Sequence, residues 1–161
     1  MEILDVVLGW PDASGAAHAP LRIKYYQNMY TRSADEILSG VGTTMARYVV
    51  MTAIENSPGS SGVQLAELTF QRPQSVADVT GALESAGLIE RRPGRGRAFG
   101  HYLTEAGTAQ LVESRAVVTD FHRTIFQGLD DKRLESFLAD VELITRNLVE
   151  AFPGTTPHLD V

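Results

Sequence analysis

The 161-residue sequence has no cysteine, which excludes disulfides, thiolate metal sites and thiol-based redox switches. Any sensing by sulfur oxidation is left to its four methionines. Long apolar runs are missing too: nothing approaches the roughly 18 uninterrupted apolar residues of a membrane span. Met1 to Trp10 has neither the basic start nor the small-residue cleavage site of a secretory signal. A soluble, cytoplasmic chain with no membrane partner is expected. Catalytic patterns are absent as well. His18, His101, His122 and His158 are too scattered for a metal motif, and no Ser-His-Asp, phosphate-loop or dinucleotide pattern occurs. Neither an enzyme nor a bound metal or cofactor is expected. Positive charge is scarce: 14 Lys and Arg against 20 Asp and Glu give a net charge of −6, which taken alone argues against a nucleic-acid partner.

The distribution of that charge alters the reading. Between Pro58 and Gly107 five arginines (Arg72, Arg91, Arg92, Arg95, Arg97) meet five acids (Glu67, Asp78, Glu84, Glu90, Glu105), so the rest of the chain carries the whole −6. Arg91 to Arg97 holds four arginines and no acid, the kind of local cluster a phosphate-contacting loop requires. With 43% hydrophobic residues, the chain can bury one core, or one small domain plus helices that pack against a partner.

Residues 1–20 contain Trp10-Pro11 and a small, polar run to Pro20, which predicts an irregular N-terminal arm. From Leu21 to Leu38, Ile23, Tyr26, Met29, Tyr30 and Ile37 recur at helical spacing, and Gly40 and Gly42 end that helix. Thr43 or Thr44 can cap a second helix, which stops at Ser57-Pro58-Gly59. Ser61 caps a short helix, Val63 to Leu68, whose Val63, Leu65, Ala66 and Leu68 can face a core. After a break at Thr69 to Arg72, Pro73 occupies the first position of a helix to Ala86, where its missing N–H costs nothing. Val76, Val79, Thr80 and Leu83 form the inner face of that helix, and Gly87 supplies a left-handed cap. Two short helices with a tight break are a helix-turn-helix. Leu88 to Arg92, the turn Pro93 to Gly96 and the return Arg97 to Leu103 form a β-hairpin, the wing. Thr104 and Asp130 cap two long C-terminal helices, the last with an apolar stripe through Leu134, Phe137, Leu138, Val141, Ile144, Leu148 and Phe152.

The expected fold is mainly α with a small β-hairpin: a winged helix-turn-helix flanked by N- and C-terminal dimerisation helices. Its parts are an arm at 1–20, a dimerisation helix at 21–42, a DNA-binding lobe at 43–103, dimerisation helices at 104–152 and a tail at 153–161. The terminal stripes exceed what so small a lobe can cover, so a symmetric homodimer is expected. A monomer with a folded-back helical cap is the competing arrangement.

The run Leu83-Glu-Ser-Ala-Gly-Leu-Ile-Glu-Arg91, followed after the turn by Leu103-Thr-Glu-Ala-Gly107, resembles the junction of recognition helix, wing and following helix in the MarR (multiple antibiotic resistance regulator) family. The resemblance extends over about Leu21 to Phe152. It implies a dimeric transcription regulator on double-stranded DNA, a repressor released by a small aromatic or phenolic effector. There is one departure: the family's wing carries Asp-x-Arg, and here Arg97 matches the arginine while Arg95 stands in place of the aspartate.

A helix in the major groove presents the residues near its N-terminus to base edges. The candidates are Arg72, Pro73, Gln74, Ser75 and Asp78, with Arg95 and Arg97 from the wing. Gln74 suits adenine, Ser75 a base or phosphate, and Asp78 either cytosine or solvent; all three also read as ordinary surface polar residues. Arg91 and Arg92 point to opposite faces of a strand, so at most one meets DNA, and pairing with Glu84, Glu90 or Glu105 competes. Effector candidates are His18, Arg22, Tyr25, Met29, Arg47, Tyr48 and Met51, the cations serving a carboxylate. Tyr26 and Tyr30 read better as packing residues. A winged-helix module used for protein interaction without DNA binding is the alternative function.

Overall fold

A computed structural model describes residues 15–93 and 99–153 of the chain. The order is α1 (Gly15–Ser39), α2 (Met45–Asn56), α3 (Gly62–Leu68), α4 (Pro73–Ser85), β1 (Ile89–Pro93), β2 (Phe99–Leu103), α5 (Glu105–Ile125) and α6 (Asp131–Ala151). This is the mainly helical, winged helix-turn-helix arrangement that the sequence predicts. The chain divides into two compact units, residues 1–45 and 46–161.

In the first unit, α1 begins earlier than expected. Residues 15–20 of the predicted arm are helical, with Pro20 inside the helix. The surrounding Ala16, Ala17 and Ala19 are the strongest helix formers, and they outweigh the turn character read from Pro20. Asp35 Oδ1 accepts a hydrogen bond from the Met45 N–H at 2.7 Å. A carboxylate from α1 thus serves the start of α2, beside the capping threonines Thr43 and Thr44 that the sequence offers. Thr43 Oγ1 is itself buried with no partner among the described residues.

The second unit is built on one apolar cluster: Val50, Met51 and Ile54 from α2, Leu65 and Ala66 from α3, Val76 and Leu83 from α4, Ile89 from β1 and Leu111 from α5. Each fully buried aliphatic side chain contributes about 1.5–3 kcal/mol. Ser61 forms a reciprocal capping box with Gln64 at the start of α3. Only Leu65 and Ala66 of α3 are buried; Val63 and Leu68, also expected to face the core, are exposed. A helix of seven residues makes two turns, too few for its apolar positions to define one face. The turn to α4 is closed by the Gln71 N–H on the Ala66 carbonyl at 3.0 Å, and it holds Phe70 at φ +53°.

Val76, Thr80 and Leu83 form the buried face of α4, and Val79 packs against the same core. Its C-terminus is a Schellman motif: the Leu88 N–H reaches the Leu83 carbonyl and the Gly87 N–H the Glu84 carbonyl, both at 2.9 Å, with Gly87 at φ +72°. β1 and β2 are antiparallel, with Ile89 opposite Leu103 and Pro93 opposite Phe99. The other edge of β2 is engaged too. Gly59 donates to the His101 carbonyl at 2.9 Å and His101 N–H to the Ser60 carbonyl at 3.1 Å. Gly100 lies where any Cβ would sit 2.6 Å from the Gly59 carbonyl oxygen, so only glycine permits that approach.

Thr104 caps α5 by accepting from the Gly107 N–H at 3.0 Å, and its hydroxyl donates to the Gly87 carbonyl at 2.7 Å. Asp130 caps α6 through the Arg133 N–H at 2.8 Å. No residue of α6 is buried. Phe137, Leu138, Ile144 and Leu148 are each at least half exposed.

Candidate nucleic-acid interface

Proline at its first position starts α4, and the backbone before it is extended, with Arg72 at φ −70° and ψ 141°. Helices α3, α5 and α6 each donate a first-turn N–H to a capping side chain, that of Ser61, Thr104 and Asp130. The start of α4 has no such capping acceptor. Its first-turn N–H groups therefore face outward without a side-chain acceptor, in the direction where the positive end of the helix dipole favours an anion.

Arg72, Pro73, Gln74, Ser75 and Asp78 are all exposed, on the side of α4 away from Val76, Thr80 and Leu83. The structure brings these five candidates together at one end of one helix. Arg72 makes no ion pair among the described residues. Gln74 Nε2 donates to Asp78 Oδ1 at 3.0 Å. A groove of about 420 Å³ runs beside them, lined by Val63, Ala66, Glu67, Phe70, Gln71, Arg72 and Pro73.

The two strand arginines follow the competing use foreseen for them. Arg91 pairs with Glu84 at 3.0 Å, with its guanidinium carbon 5.9 Å from the Phe99 ring centre. Arg92 pairs with Glu90 and stacks at 4.7 Å on Tyr102. Opposite strand faces account for the two different rings. Arg95 and Arg97 lie outside the described residues.

The effector candidates fall on both units. On α1, Arg22, Tyr25 and Met29 are exposed, while His18 Nε2 is buried without a partner among the described residues. Tyr26 and Tyr30 pack on each other with ring centres 5.9 Å apart. In the second unit Arg47 and Tyr48 are half-buried. Met51 has no exposed surface and belongs to the core, so it offers nothing to a ligand there. Tyr48 lines a cleft of about 230 Å³ with Val49, Thr52, Ala53, Asn56, Ser57, Leu68 and Thr69. Apart from Tyr48, none of these residues is among the effector candidates, because the cleft depends on how α2 meets the end of α3. Arg115, which contacts Tyr48, pairs with Glu55; the Glu55 contact first, and Tyr48 more weakly, raise the pKa of Arg115 above its ordinary value.

Among the described residues no helix is long and apolar enough to cross a membrane. No family model matches the sequence. Over 83 residues, half of the chain, it is 34% identical to the HTH-type transcriptional repressor Rv2887 of Mycobacterium tuberculosis, and the match spans 60% of that relative. A MarR-family transcriptional regulator from Rhodococcus superposes with a TM-score of 0.73 at 19% identity, over 90% of this chain and all of that one. MepR of S. aureus, in a complex with DNA, gives 0.73 at 15% identity over 84% of this chain and 99% of that one. The salicylic acid complex of the MarR family protein Rv2887 gives 0.65 at 24% identity over 83% and 98%. The chain has the fold of MarR-family transcription regulators and resembles one of them in sequence over half its length.

Proposed function

We propose that the protein is a cytoplasmic, sequence-specific DNA-binding transcription regulator that works as a homodimer and carries no catalytic activity. The observation that carries this reading is the uncapped, exposed first turn of α4, where Arg72, Gln74 and Ser75 stand together in front of a fully packed core. Such a turn can enter a major groove without disturbing the fold behind it. Arg72 and the first-turn N–H groups suit phosphate, Gln74 suits the adenine edge, and Ser75 suits either. Arg95 and Arg97 are assigned to phosphate or the minor groove from their place in the hairpin sequence. The DNA complex of a protein of this fold supports the reading. The salicylic acid complex of Rv2887 supports a small aromatic acid as effector and repression relieved by it, with Tyr48 and its cleft, and Arg22, Tyr25, Met29, His18 and Arg47, as the residues to examine.

The test is selection of duplexes from a random library by the full-length protein, followed by titration of the selected duplex and a scrambled one at several salt concentrations. Tight binding of the selected duplex, with an affinity that falls steeply as salt rises, is the expected result. Equal, weak binding of both duplexes would leave a winged-helix module for protein partners.

A further inference from the structure

Asp78 is an odd residue to find on a helix surface that meets a polyanion. Its charge repels phosphate, and its neighbour Gln74, four residues earlier and one turn away, is the residue best suited to read a base. The two side chains are joined, Gln74 Nε2 donating to Asp78 Oδ1 at 3.0 Å. A carboxylate offers only acceptors, so the amide must turn its nitrogen towards Asp78. Its oxygen and its second N–H are then left in a fixed orientation, and one acceptor beside one donor is the set that pairs with N6–H and N7 of adenine.

We propose that Asp78 is a positioning residue, which fixes the Gln74 amide in the orientation that reads adenine, and does not itself contact a base. The inference rests on α4 entering the major groove. Without the carboxylate the amide is free to rotate and to present its two groups in reversed order, so part of its discrimination is lost. Removing only the charge has a different effect. Asp78→Asn keeps an oxygen able to accept from Gln74 and removes the repulsion, whereas Asp78→Ala removes both.

The experiment compares wild type, Asp78→Asn, Asp78→Ala, Gln74→Ala and the double variant Gln74→Ala/Asp78→Ala on a library-selected duplex and on a version altered at the base pair whose identity ceases to matter in Gln74→Ala. Both Asp78 variants should bind every duplex more tightly. Discrimination between the two duplexes should fall about threefold to tenfold in Asp78→Ala, the worth of one net hydrogen bond, and be restored in Asp78→Asn. In the Gln74→Ala background, loss of Asp78 should change discrimination no further. A purely structural role would shift the thermal midpoint and leave discrimination alone. Equal discrimination by Asp78→Ala and Asp78→Asn, an effect of Asp78→Ala that persists without Gln74, or a Gln74→Ala variant that relaxes no base pair would each overturn the inference alone. Wild-type protein that binds no selected duplex would overturn the DNA reading and this inference with it.

Discussion

Phe70 holds a left-handed backbone at φ +53° while its ring is 73% exposed. The conformation costs about 1–2 kcal/mol in a residue with a Cβ, and so exposed a ring recovers little of it by burial. Phe70→Gly should therefore raise stability by about 0.5–1 kcal/mol, once the greater freedom of glycine in the unfolded chain is subtracted. Urea denaturation monitored by circular dichroism measures the difference. Nothing in the sequence points to this strain, because the residue that takes the left-handed turn is not a glycine or an asparagine. Gln74 and Ser75, in contrast, were legible: Pro73 fixes the first position of α4, and the buried positions Val76, Thr80 and Leu83 fix its outward side. Gln74→Ala should cost about 1–3 kcal/mol on a selected duplex and little on a scrambled one, as expected for a bidentate base contact. Ser75→Ala should cost less, about 0.5–1.5 kcal/mol. Arg72→Ala should weaken both duplexes alike and reduce the magnitude of the log–log salt slope by about 0.9, the signature of one lost phosphate contact. Fluorescence anisotropy at fixed and varied salt separates the three patterns.

At the scale of elements, the sequence Leu103-Thr-Glu-Ala-Gly107 acquires a physical account. The Thr104 hydroxyl caps α5 and also donates to the Gly87 carbonyl, the Thr104 N–H reaches the Leu88 carbonyl at 3.0 Å, and a Cβ on Gly107 would run into that same Leu88 carbonyl oxygen. Gly107→Ala should thus displace α5 from the end of α4 and destabilise the fold by about 1–3 kcal/mol or more, which a thermal melt reports. Thr104, Asp130, Ser61 and Pro73 were readable as helix starts because each acts within its own turn. What escaped the sequence depends mostly on distant partners: the Asp35 contact ten residues from Met45, and the pairing of Gly59 and Ser60 with His101; the continuation of α1 through Pro20 escaped for a local reason, the helix propensity of the alanines around it. The two exposed apolar residues of α3 were misplaced for a related reason, since a two-turn helix takes its orientation from its neighbours.

On the scale of the whole molecule, α1 and α6 both leave large apolar side chains in water. Leu21, Ile23, Tyr26 and Met29 on the first, and Phe137, Leu138, Ile144 and Leu148 on the second, are all more than 40% exposed. Contiguous faces of this kind mark an association surface, and a symmetric pair covers each face twice over. Light scattering at micromolar concentration should give twice the mass of one chain, and the thermal midpoint should rise with protein concentration. Leu138→Glu with Leu148→Glu should yield monomers that retain their helix content but lose tight binding, since one lobe alone forfeits the second half-site. A single-chain mass for the wild-type protein would count against this arrangement.

The junction of Thr104, Gly107 and Leu88 also ties the end of α4 to the start of α5 through two hydrogen bonds and one close backbone approach. A helix of 13 residues extends about 20 Å, so Gln74 lies a helix length from that junction, at the end of α4 where Val76 enters the core. A tilt of about five degrees transmitted through α5 would carry the tip sideways by about 1.7 Å over that length, more than half the span of a hydrogen bond. Small molecules that shift α5 slightly would then silence base reading without unfolding any part of the lobe. Variants that loosen the junction should weaken the link between α5 and base reading while each helix remains folded.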